Sequence, residues 1–173
     1  QVEEPEKLLQ CQRILAIPLR RFVRKEVGYL SKACLAALLE QPDLTRPAGR
    51  RDAVLLSLLY DAGARVQEII NLTAGDVRLE SPAQIRILGK GRKVRMVPLM
   101  DNTVNLLRRY INENTLALPE RYDSPVFCNR QGNRLTRAGV NYILQKHVKT
   151  AQESDPAFNQ KVTPHTLRHT KAM

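Results

Sequence analysis

A chain of 173 residues, 43% hydrophobic and 26% charged, is long enough to bury one ordinary core and too apolar for a disordered tail. Its 28 Lys and Arg against 17 Asp and Glu leave a formal net charge of +11, a field that draws polyanions, nucleic acid first among them. Cys11, Cys34 and Cys128 lie far apart with no CxxC, which argues against a disulfide framework or zinc ribbon and for a reducing cytosol. The longest apolar run, around Val54 to Tyr60, is far shorter than the ~20 residues of a membrane span. The sequence begins with Gln1 rather than Met, as a fragment or processed chain would.

Residues 1–29 read as a basic, irregular arm. Ser31 is an N-cap for a helix over "KACLAALLEQ", whose apolar positions recur at helical spacing. "QPDLTRPAG" breaks the chain, and "RRDAVLLSLLYDAG" is an apolar helix ended by Gly63. "RVQEIINL" is a short helix starting beside that glycine. "QIRIL" and "KVRMVPL" then alternate as half-buried strands, joined by "GKGR" into a hairpin with Lys90 at its tip. "DNTVNLLRRYINENTLAL" returns to a helical period with Asp101 as its cap. "PVFCN" reads as a strand, "RQGNR" as a turn and "TRAGVNYILQKHVKTAQ" as another helix. The closing "TPHTLRHTKAM" starts on Thr163 as N-cap with Pro164 at the first helical position. The order predicts an α+β fold, mostly helical, with several helices around one small antiparallel sheet.

Candidate chemistry concentrates in three places. His165 and Arg168 share a helix face, and His169 lies one turn from His165. The two histidines have zinc-compatible spacing, but no HExxH and no third ligand accompany them, so no metal is expected. Arg65 follows a small-residue turn and opens a helix, where a guanidinium and helix N–H groups can meet an anion together. Glu68 stands one turn on, able to orient Arg65 or to be only an exposed helix charge. Lys90 sits between two glycines, yet GxxxxGK[ST] and GxGxxG are absent, so it would act as a donor rather than as a phosphate-loop anchor.

Taken together, "GARVQEIINL", "GKGRKVRMVPL" and "TPHTLRHT" resemble the catalytic domain of the tyrosine recombinases, the phage-integrase and Xer-like family. The resemblance covers roughly residues 27–173 and implies the recombinase catalytic-domain fold over residues 30–173. Residues 1–29 would be the linker from an N-terminal core-binding domain. It matches Arg65 to the first active-site arginine, Lys90 to the hairpin lysine, His165 and Arg168 to the HxxR, and Glu68 to the supporting acid. His169 would be supporting too. The implied activity is site-specific DNA recombination or integration through a 3′-phosphotyrosine, without cofactor or metal. Double-stranded DNA and a tetramer on it are the implied partners, and the cytoplasm of a bacterium, or a phage-derived element in one, is the implied setting. Tyr29, Tyr60, Tyr110, Tyr122 and Tyr142 all precede the HxxR, so none matches the family's nucleophile, and the fragment is expected not to cleave DNA. Two other readings stand beside this one. A type IB topoisomerase-like enzyme would share the chemistry, and a non-catalytic basic DNA-binding module would use the charge alone.

Overall fold

The structure, a computed structural model, describes residues 5–17, 28–156 and 158–173. The helices are α1 (Pro5–Leu15), α2 (Lys32–Leu39), α3 (Pro47–Asp61), α4 (Val66–Ile70), α5 (Asp101–Glu113), α6 (Arg137–Ser154) and α7 (Pro164–Ala172). Three strands, β1 (Val77–Arg78), β2 (Gln84–Leu88) and β3 (Val94–Pro98), form one antiparallel sheet in the order β1-β2-β3. The α+β architecture expected from the sequence is the one observed.

The core is built around α3. Leu55, Leu56, Leu58 and Leu59 are all fully buried, so this helix is covered on every side, and it packs against α5 and α7. A helix so enclosed must satisfy any polar group it carries. It carries Asp52 in its second turn and Asp61 at its C-terminal end, both buried. Asp52 takes Arg51 at 2.7 Å and the buried His147 of α6 at 3.0 Å. Burial works against the Asp52 charge, but the His147 and Arg51 hydrogen bonds outweigh it and keep the carboxyl below its usual range. Asp61 takes Lys171 of α7 and the backbone N–H of Met100 just ahead of α5. The central helix is therefore pinned to three others through two carboxylates.

Local signals explain the element ends. Ser31 accepts from the Cys34 N–H, Thr136 from the Gly139 N–H and Thr163 from the Thr166 N–H. Pro47 and Pro164 occupy first-turn positions, where a missing N–H costs nothing. Gly63 has φ +53°, the left-handed conformation that ends α3 two residues ahead of Arg65.

The structure corrects several expectations. The arm over residues 1–29 is not irregular throughout, since Pro5–Leu15 is helical; residues 1–4 and 18–27 lie outside the described residues. The helix expected from Asp101 to Leu118 stops at Glu113, because Thr115 turns to φ +53°. Met100, not Asp101, is its N-cap, and Asp101 is the first helical residue. "PVFCN" is no strand: Pro125 and Cys128 make only isolated bridges, to Thr73 and Arg134. The segment instead sinks Phe127 fully into the core, where it stacks on Tyr110 with ring centroids 6.0 Å apart. The two-residue strand β1 was too short to give an alternating pattern.

Candidate phosphate-binding site

Arg65 is the N-cap of α4, with extended φ and ψ of −73° and 149°. Extension there turns the chain out of the Gly63 bend and leaves its guanidinium 53% exposed, open to a ligand. Glu68, one turn into the helix, is only 8% exposed, so its charge has to be met by protein groups. Its Oε2 accepts the backbone N–H of Arg65 at 2.8 Å, and its Oε1 accepts the Arg65 side chain at 3.1 Å. One carboxylate thus caps the helix and steers the guanidinium; of the two sequence readings of Glu68, it is the orienting one that the contacts favour, and the capping is new.

Glu68 has a third partner that the sequence reading missed. Arg95 of β3 donates to Oε2 at 2.7 Å and to Oε1 at 3.4 Å. The alternation held the clue. Arg95 and Val97 share a strand face, and Val97 packs against the core, so an arginine on that face needs an acidic partner. Burial works to raise the Glu68 carboxyl. The hydrogen bonds from Arg95 and from the backbone and side chain of Arg65 outweigh burial and hold the group at about 2.

A group whose folded value is depressed contributes stability that is full above its unfolded value, near 4.5, and is lost as pH falls through about 2. Glu68→Gln is therefore expected to flatten the acid limb of the stability profile between those values. Urea unfolding at pH 6, 4 and 2.5 measures it, and parallel profiles for the two proteins would contradict the assignment.

Lys90 begins the turn between β2 and β3, a short 3-10 segment over Lys90–Arg92 with Gly91 at φ +73° and Arg92 at φ +59°. Gly89, just before it, lies against the Glu68–Arg95 pair. A Cβ placed there would stand 3.0 Å from Arg95 Nη1 and 3.6 Å from Glu68 Oε1. The hairpin turn therefore starts beside the carboxylate that holds Arg65.

On α7, His165 and His169 are exposed and Arg168 is half-buried. None of the three side chains makes a hydrogen bond or ion pair with another described residue. Lys171, one turn beyond Arg168, binds Asp61 at 3.0 Å, and its Cγ would lie 3.7 Å from a Cβ on Gly63. The Lys171 face of α7 is thus held against the turn that leads into Arg65. Among the described residues no three His, Cys, Asp or Glu side chains are grouped to hold a metal ion, and no helix is long and apolar enough to cross a membrane.

The tyrosines are occupied elsewhere or turned to solvent. Tyr110 is buried, donates to the Val126 carbonyl at 2.9 Å, and is pushed up to about 12 by burial. Tyr122 covers Gly75, and Tyr60 lies beneath Lys171 Nζ at 5.4 Å. Tyr29 and Tyr142 are exposed.

Known proteins resemble this chain in sequence and fold. The sequence pattern of the phage integrase family matches residues 29–173. The protein y4rC of Sinorhizobium fredii is 40% identical over 173 residues, 99% of this chain and 51% of y4rC. The crystal structure of XerA recombinase superposes with a TM-score of 0.71 at 29% identity, over 91% of this chain and 52% of that one. XerH site-specific recombinase, bound to palindromic difH substrate in a post-cleavage complex, superposes with a TM-score of 0.69 at 28% identity, over 86% of this chain and 42% of its own. The chain spans about half the length of the relatives it matches. With the family pattern matching residues 29–173, most of the sequence, the chain belongs to the phage integrase family.

Proposed function

We propose that residues 30–173 form the catalytic domain of a site-specific DNA recombinase, with residues 1–29 leading from a separate DNA-clasping domain. The reading is carried by Arg65, an exposed guanidinium steered by a buried carboxylate at the mouth of a helix. Such a group is preset for a phosphodiester and has little structural reason to be so arranged. The match to XerH, whose structure contains its substrate, supports duplex DNA as the partner.

In this reading Arg65 and Arg168 grip the two non-bridging oxygens of one phosphate. A tyrosine oxygen attacks phosphorus in line, a phosphotyrosyl bond forms at the 3′ side, and the bond to the 5′ oxygen breaks. Lys90 delivers a proton to that leaving oxygen, and His165 donates to the phosphate or shuttles the phenol proton. His169 supports the site from the same helix. The negative charge that builds on the phosphate meets fixed cations, which is where the barrier is lowered. The covalent link conserves the phosphodiester, so strands can be rejoined without a nucleotide cofactor or metal. None of the five tyrosines hydrogen-bonds to Arg65, His165 or Arg168 among the described residues, and in this reading none of them is the attacking phenol. Strand exchange then calls for four such chains on paired sites, in the cytoplasm where the DNA is.

Duplex binding by the 173-residue chain tests the partner directly. Contacts made mainly to phosphates release counterions, so affinity is expected to fall about eightfold when salt is doubled, corresponding to roughly three or four neutralised phosphates. Fluorescence anisotropy on a labelled duplex at 100 and 200 mM salt reads it. An affinity unchanged by salt would count against the proposal.

A further inference from the structure

The Glu68 carboxylate is shared. Arg65 reaches it from α4 and Arg95 from β3, and the two guanidiniums with one carboxylate leave the cluster a net charge of +1. Arg95 makes the shorter contact, 2.7 Å against 3.1 Å, and it alone touches both carboxylate oxygens through its side chain. The consequence for Arg65 is chemical. A buried carboxylate with a single guanidinium beside it draws that guanidinium into a two-pronged, neutral pair. With Arg95 occupying it, Glu68 holds the Arg65 guanidinium by one Nη contact and leaves that side chain 53% exposed.

We infer that Arg95 is a positioning residue for Arg65: by engaging Glu68 from the strand, it keeps the Arg65 fork and its charge available to a phosphate. The inference rests on the reading of Arg65 as a phosphate-binding group. It also joins two parts of the site. Arg95 lies on the strand that follows the Lys90 turn, and Gly89 leaves room for its guanidinium, 3.0 Å from where a Cβ would stand. The strand carrying the hairpin and the start of α4 are therefore held in register through one carboxylate.

The experiment is a mutant cycle on the 173-residue chain. Duplex affinity is measured at fixed low salt, and the Arg65 side-chain N–H and Glu68 carboxyl signals are followed by NMR without DNA. Arg95→Gln is expected to weaken duplex binding about tenfold, the size of one charge-assisted hydrogen bond, and to shift both NMR signals. Arg95→Lys, which keeps the charge but loses the fork, is expected to fall between Arg95→Gln and the unmodified chain. Glu68→Gln added to Arg95→Gln is expected to restore most of the affinity, because the carboxylate that captures Arg65 is gone. A merely structural Arg95 would show no such rescue. Thermal melts verify folding, and if Arg95→Gln does not fold, the same comparison is made with Arg95→Lys alone and with Glu68→Gln. Unmoved NMR signals in the Arg95 variant, or an equal loss of affinity in the Glu68→Gln background, would overturn the inference. An unmodified chain with no duplex affinity would instead overturn the reading of Arg65, while the NMR signals would still report whether Arg95 controls it.

Discussion

Replacing Arg168 with alanine is expected to lower DNA strand cleavage by about two to three orders of magnitude, the usual cost of removing one preorganised donor from a developing oxyanion. Under the proposed function, the measurement uses this chain extended by a tyrosine-bearing segment and a nicked substrate that traps the covalent adduct. The fold gives little reason for a large loss of stability. The Arg168 side chain is half-buried and makes no hydrogen bond or ion pair with another described residue, so its removal leaves no partner stranded. Surface changes of that kind usually stay within about 0.5 kcal/mol. Duplex affinity is expected to fall far less than the cleavage rate, since one phosphate contact among several is lost. Arg168→Lys separates charge from shape: an ammonium keeps the field but not the planar fork, and partial activity is the expected result. Cleavage by Arg168→Ala within threefold of the unmodified enzyme would remove Arg168 from the site.

The parts of this site written in local chemistry were legible in the sequence. Arg65 follows a glycine that has to adopt positive φ, and Thr163 with Pro164 marks the start of α7 within a residue. Glu68, three residues from Arg65, shares its helix face by spacing alone. Contacts that depend on tertiary structure were not legible. Arg95 meets Glu68 across 27 positions, and His147 meets Asp52 across 95. The spacing of His147 from Val140, Ile143, Leu144 and Ala151 does set it on the buried face of α6, but spacing along one helix does not say which residue it meets there. "PVFCN" failed as a strand for a related reason. Its apolar residues fit a pleat, but the carbonyls of Val126 and Cys128 accept from the Tyr110 hydroxyl and from Arg51 of α3 rather than from a neighbouring strand. Propensity sets what a segment can do, and its neighbours decide what it does.

Asp61→Ala should destabilise the chain by about 2–3 kcal/mol and loosen α7 in the same step. The carboxylate is 2% exposed and serves two elements at once, with Oδ1 on Lys171 at 3.0 Å and Oδ2 on the Met100 N–H at 2.7 Å. Its loss strands a cation and a backbone donor together. Breaking a fully buried ion pair costs about 3–5 kcal/mol. The figure here is lower because Lys171 is 31% exposed and rests over the Tyr60 ring, so its ammonium can turn toward water. The second half of the expectation is functional. Lys171 is one turn beyond Arg168, and its grip on Asp61 fixes the height of that face of α7 over the Gly63 turn. Leu167 in the core and the Leu30 N–H on Thr170 still hold the helix, so it should shift rather than detach. Urea unfolding gives the stability. Hydrogen exchange along α7 gives the loosening, expected as faster exchange at residues 168–172 with α3 unchanged. Lys171→Met added to Asp61→Ala removes the stranded ammonium and should return about 1 kcal/mol, a coupling that independent sites would not show. A single variant within 0.5 kcal/mol of the unmodified chain, with α7 exchanging as before, would mean that Asp61 is a bystander and that apolar packing alone seats the helix bearing His165 and Arg168.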